Sequence, residues 1–129
     1  MPRIAHFAFL VRDYGEAIAW FTGKLDFALL EDTDLGGGKR WVRVAPKGGG
    51  AALLLARAAT PGQAAIIGHQ GGGRVFLFLE TEDFARDHAA FTARGVKFVR
   101  EPKTESYGTV AVFEDLYGNL WDLLQSRAP

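Results

Sequence analysis

Short apolar runs alternate with polar and glycine-rich segments along this chain, and two of the runs lead into helical patterning. Residues 4–11 and 75–79 are rich in Phe, Val and Leu and read as buried strands. Each run gives way to a polar segment ending in an aspartate, Asp13 or Asp83, a residue suited to cap a following helix. Behind Asp13, the residues Ala17, Trp20, Phe21 and Leu25 recur at helical spacing; behind Asp83, Phe84, His88, Phe91 and Val96 nearly do. The helices are expected to close at Gly23-Lys24 and Arg94-Gly95, where a basic residue stands beside a glycine. Three apolar stretches follow each helix, 27–31, 41–45 and 51–57 in one half and 97–100, 109–114 and 120–125 in the other. Glycines at 36–38 and 48–50, and Tyr117-Gly118-Asn119, supply the turns. Each half therefore reads as strand, helix, then three strands.

The halves also echo each other in sequence. Asp13-Tyr-Gly-Glu-Ala-Ile-Ala-Trp-Phe-Thr22 returns as Asp83-Phe-Ala-Arg-Asp-His-Ala-Ala-Phe-Thr92, an offset of 70 positions. Arg57-Ala58 against Arg127-Ala128 keeps the same offset. The expected organisation is one domain over residues 3–127, made of two repeats at about 3–58 and 73–127 joined by a linker at 59–72. The linker holds a Pro-Gly pair, a small apolar patch at 64–67 and room for a short helical turn.

Composition narrows the function classes. Lys plus Arg equal Asp plus Glu at 15 each, which argues against nucleic acid as the main partner. With no cysteine, disulfides and thiolate chemistry are excluded. No apolar run precedes a cleavage site near the start, and none reaches the roughly 18 residues of a membrane span, so a cytoplasmic location is expected. None of the glycine runs sits between a strand and a helix as a dinucleotide or phosphate loop requires.

Two local segments carry a family resemblance. His6-Phe-Ala-Phe-Leu-Val-Arg-Asp13 resembles the opening strand of the vicinal oxygen chelate superfamily, whose histidine binds metal seven residues before an aspartate. Glu114-Asp-Leu-Tyr-Gly-Asn-Leu-Trp-Asp-Leu-Leu-Gln125 resembles that superfamily's closing hairpin, whose glutamate binds metal. The superfamily contains glyoxalases, bleomycin-binding proteins, extradiol dioxygenases and fosfomycin-resistance enzymes. The resemblance implies an α+β fold of tandem βαβββ units forming curved mixed sheets, the glyoxalase/bleomycin resistance/dihydroxybiphenyl dioxygenase-like fold. It also implies a homodimer, because the family pairs such units within or between chains.

By the resemblance and the repeat, four positions belong to the metal site: His6, Phe76, Ala52 and Asp122. Only His6 and Asp122 carry donors, whereas a tight catalytic metal normally takes three protein ligands. Glu80, on the same strand face as Phe76 and Phe78, offers a third; His69 in the linker is a further candidate, and His88 reads as a partly exposed helix residue. Zinc, nickel, manganese or iron would suit such a set. Strand alternation turns Val42 and Val44 toward the helix and Trp41 and Arg43 away from it. With Phe76, Phe78 and Leu124 they outline an aromatic groove with one cation, fit for a small organic molecule that is aromatic or anionic. Tyr107 lies in a loop expected at 101–108, either a lid over the groove or a plain connection.

Two functions follow. One is a small-molecule-binding protein with a degenerate metal site and no cofactor. The other is a metal-dependent lyase, dioxygenase or thiol transferase in which His6, Asp122 and Glu80 hold a divalent ion acting as Lewis acid on vicinal oxygens.

Overall fold

A computed structural model of the chain describes residues 1–127; Ala128, which closes the second Arg-Ala match, lies outside them. The described chain divides into two compact units, Met1–Ile67 and the remainder from Gly68. The first unit contains β1 (His6–Val11), α1 (Tyr14–Lys24), β2 (Ala28–Gly36), β3 (Lys39–Ala45), β4 (Ala52–Arg57) and the short α2 (Pro61–Ala65). The second contains β5 (Val75–Glu80), α3 (Phe84–Ala93), β6 (Lys97–Glu105), β7 (Gly108–Glu114) and β8 (Leu120–Ser126). Each unit holds one four-stranded mixed sheet, ordered β1-β4-β3-β2 in the first and β5-β8-β7-β6 in the second. The first and last strands of each unit pair in parallel, and the other neighbours pair antiparallel. This is the α+β fold expected from the sequence.

In the first unit the Asp13 carboxylate accepts the Glu16 N–H at 2.8 Å and so starts α1. The Arg12–Glu16 pair reinforces that turn at 2.8 Å. The helix lays Ala17 and Phe21 on the sheet, where Phe21 meets Phe9 edge-on at 5.4 Å and stacks on Phe27 at 5.6 Å. Phe9, Val11, Val42, Val44 and Leu55 complete this core almost without exposure. Each buried ring or branched chain contributes about 1.5–3 kcal/mol. The helix ends at Lys24, as expected, but without a left-handed glycine. Gly23 is an ordinary helical residue, and the left-handed position is Asp26 at φ 57°. The Phe27 N–H returns to the Phe21 carbonyl at 3.1 Å to satisfy the helix end. Aspartate tolerates this conformation better than most side chains, so no glycine marks the stop.

In the second unit Asp83 caps α3 by accepting the Arg86 N–H at 3.1 Å, and Gly95 closes it at φ 87°. The Gln125 amide oxygen accepts the Phe84 N–H at 2.8 Å, tying the helix start to β8. Phe113 anchors the core between Phe91 at 5.7 Å and Trp121 at 5.6 Å. The expected loop at 101–108 is a correction: β6 runs on to Glu105, and a two-residue turn, Ser106-Tyr107, leads into β7. Pro102 survives within β6 because the register shifts between Arg100 and Lys103, which frees it from the ladder. Tyr107 is thus a hairpin-tip residue whose carbonyl accepts the Arg127 N–H at 2.9 Å, and no lid loop exists there. Among the described residues no helix is long and apolar enough to cross a membrane.

Candidate functional site

Each sheet has one face against its helix and one face away from it, and the candidate residues gather on the faces away. In the first unit Phe9 points to α1, so His6, Ala8 and Leu10 point the other way. His6 pairs across the ladder with Ala52, and Arg43 pairs with Leu54, which places Trp41, Arg43 and His6 on one surface. The His6 ring meets Trp41 edge-on at 5.5 Å. The Arg43 guanidinium donates to Glu31 at 3.1 Å, so its charge is partly answered within the unit. The alternation read from the sequence is therefore correct for Trp41 and Arg43.

In the second unit Phe113 and Trp121 face α3, and Val112, Asp122 and Leu124 face away. Phe78 stands opposite Asp122, and Glu80 opposite Leu124. Here the structure departs from the repeat. The constant offset equates Phe76 with His6, but Phe76 is the extra residue of a register shift between Val75 and Leu77. The residue beside Asp122 is thus Phe78, just as His6 is the residue beside Ala52. Phe78 and Glu80, both beyond the shift, share one face with Asp122 and Leu124. Phe78 is 66% exposed and Phe76 half-buried.

His6 belongs to the first unit, and Asp122 and Glu80 to the second. Ala52 and Phe78, the ladder partners of His6 and Asp122, offer no donor atom. Glu80 accepts the Ser126 hydroxyl at 2.5 Å. Among the described residues no group of three or more His, Cys, Asp or Glu side chains is placed to hold a metal ion. His88 is held between Phe84 at 5.4 Å and Phe98 at 4.2 Å, a packing role. His69 lines a cavity of about 230 Å³ in the second unit with Arg74, Glu114, Gly118 and Asn119. Burial raises the Asp122 carboxyl above its ordinary value, and the Arg100 guanidinium works against that rise.

The sequence reading passed over the inner wiring of the closing hairpin. Asp115, only 6% exposed, accepts four hydrogen bonds: Tyr117 N–H at 2.9 Å, Asn119 N–H at 3.0 Å, Asn119 Nδ2 at 3.0 Å and Trp121 Nε1 at 2.9 Å. Burial pushes its carboxyl up, and these four donors oppose the shift. The signal available in the sequence was an aspartate four residues before an asparagine and six before a tryptophan, around Gly118 at φ 95°. This network fixes the start of β8 and hence the position of Asp122.

The fold agrees with the comparisons. The profile of the Glyoxalase/Bleomycin resistance protein/Dioxygenase superfamily matches residues 3–123, and the chain belongs to that superfamily. An uncharacterised protein of Shewanella frigidimarina (strain NCIMB 400) is 59% identical over 124 residues, 95% of this chain and 92% of that one. Among solved structures, UcmS2 is 28% identical with a TM-score of 0.83, covering 96% of this chain and 98% of its own. TnmS3, an antibiotic binding protein from Streptomyces sp. CB03234, is 31% identical with a TM-score of 0.79, and 98% of each chain is covered.

Proposed function

We propose that this chain is a small-molecule-binding protein that holds a planar aromatic organic compound without a metal. The observation that carries this reading is the chemistry of the sheet faces away from the helices. They present Trp41 with His6 in one unit and Phe78 with Leu124 in the other, while Ala52 and Phe76 fill positions where the family resemblance implies metal ligands, and Phe78 is the ladder neighbour of Asp122. Aromatic side chains supply large contact area and orientation-dependent stacking for a planar ligand. Because Arg43 is engaged by Glu31, aromatic surface rather than a lone cation leads the recognition. The similarity to TnmS3 over nearly the whole of both chains supports a drug-like ligand. A metal-dependent lyase, dioxygenase or transferase would need three ligands, and among the described residues no group of three or more His, Cys, Asp or Glu side chains is placed to hold an ion.

The test is a fluorescence titration of the purified protein with a panel of planar aromatic antibiotics, repeated after dialysis against a chelator. Saturable quenching that survives the chelator and weakens in Trp41→Ala and Phe78→Ala is expected. Absence of binding across the panel, or binding lost to the chelator and restored by zinc or nickel, would refute the reading.

We also propose a homodimer. Leu30 and Leu35 are 50% and 52% exposed on β2, an edge strand with unpaired backbone groups that a second copy can cover. Light scattering that returns the monomer mass of 14.1 kDa at micromolar concentration would refute it.

A further inference from the structure

One row across the second sheet is uneven in its chemistry. Arg100 on β6, Val112 on β7, Asp122 on β8 and Phe78 on β5 stand side by side in register, on the face away from α3. Val112 is 4% exposed, Asp122 is half-buried, and Phe78 is open to solvent. Among the described residues no side chain hydrogen-bonds to the Asp122 carboxylate or forms an ion pair with it; Arg100 acts on it only through its field. Two other carboxylates on this face are engaged: Glu80 accepts the Ser126 hydroxyl, and Glu114 pairs with Lys97 at 3.6 Å. A carboxylate that has lost part of its water and gained no partner carries a desolvation cost that an incoming donor removes. The exposed ring beside it presents a π-face that attracts a cation. The two together match a positively charged nitrogen joined to a flat apolar group.

We propose that Asp122 and Phe78 form a subsite for a protonated amine on the aromatic ligand, so that the preferred ligand class is an aromatic amine rather than an aromatic anion. The inference rests on the aromatic-binding reading above and assigns its charge. Asp122 accepts the N–H of the amine, Phe78 covers the adjoining ring or methylene, and Val112 keeps water from the floor beneath them.

The experiment uses three probes of one shape: 2-naphthylmethylamine, 2-naphthylmethanol and 2-naphthoate, titrated calorimetrically into the full chain at neutral pH. The amine is expected to bind at least about tenfold more tightly than the alcohol, since a hydrogen bond to a charged group is worth that much, and the carboxylate more weakly than either. Asp122→Asn, which keeps the side-chain volume, should bring the amine down to the alcohol while leaving the alcohol unchanged. Phe78→Ala, at an exposed position that leaves the core intact, should weaken all three. Equal binding of the three probes to the wild type, tightest binding of the carboxylate, or an amine preference that persists in Asp122→Asn would overturn the inference and leave the aromatic reading standing. Failure of all three to bind would overturn both. Circular dichroism of each variant establishes that it is folded; should Asp122→Asn fail to fold, Asp122→Ser is measured against the same expectation.

Discussion

Replacing Asp115 by alanine removes the acceptor at the centre of the β7–β8 hairpin. Four donors lose their partner: two backbone N–H groups, the Asn119 amide and the Trp121 indole. Hydrogen bonds to a charged acceptor are worth about 1.5–3 kcal/mol each when one partner is deleted, so the gross loss is about 6–12 kcal/mol. Two effects reduce it. The desolvation cost of the carboxylate disappears with it, which returns several kcal/mol. The Tyr117 N–H near the tip also regains water, because Gly118 is exposed and Tyr117 only half-buried. The net destabilisation is about 3–5 kcal/mol, a large part of the stability of an ordinary domain. For 129 residues this lowers Tm by roughly 10–20 °C. Urea unfolding followed by tryptophan fluorescence and by far-UV circular dichroism measures it. Asp115→Asn should fall between, since its amide keeps one acceptor oxygen but turns a donor toward donors. Trp121→Phe should cost far less than Asp115→Ala, because it removes one hydrogen bond and keeps most of the stack on Phe113. A loss below about 1 kcal/mol in Asp115→Ala would refute the argument that this carboxylate organises the hairpin.

Gly108→Ala should cost about 2–4 kcal/mol, because a Cβ there would lie 2.1 Å from the Gln125 carbonyl oxygen at φ 150°; an unchanged urea midpoint would contradict the tight approach. Asp26→Gly should raise stability by about 0.5 kcal/mol by relieving the left-handed position at the end of α1, read as a small rise in Tm, since the exposed Lys47 pair it gives up contributes little. Phe78→His combined with Asp122→Glu should raise zinc or nickel affinity at least tenfold by calorimetry, while Phe76→His combined with Asp122→Glu should not, because Phe76 sits at the register shift. The reverse order would show that the sequence offset, not the ladder, defines the equivalent positions.

Much of this architecture was legible in the chain, and what was not has physical causes. Asp13 and Asp83 announced their helices because a capping aspartate before helical periodicity has few other meanings. Trp41 and Arg43 were placed on the right face because β3 is flanked on both sides and its alternation is clean. The edge strands were read too short. β2 continues through Asp32, Thr33 and Asp34, and β6 through Glu101, Pro102 and Lys103, where one solvated edge removes the demand for apolar alternation. The end of α1 at Lys24 was legible, but the left-handed residue that follows it is Asp26 rather than a glycine. The ladder neighbour of Asp122 is Phe78, two residues beyond the Phe76 that the offset equates with His6, and the register shift between Val75 and Leu77 supplies one of those two. The isolation of the Asp122 carboxylate is a property of its neighbours in space, which no spacing encodes.

The parallel pairing of first and last strands in each unit has a kinetic consequence. β2, β3 and β4 are joined by short turns and pair antiparallel, so their contacts close small loops. His6 meets Ala52 only after α1 and two strands have been laid down between them. The loop entropy of that closure is paid late, and so is the burial of Phe9 and Val11, the residues that seal the helix onto the sheet. The first strand of each unit is therefore the last to dock and the first to leave. The face carrying His6 in the first unit and the face carrying Phe78 in the second are each completed only when that strand docks.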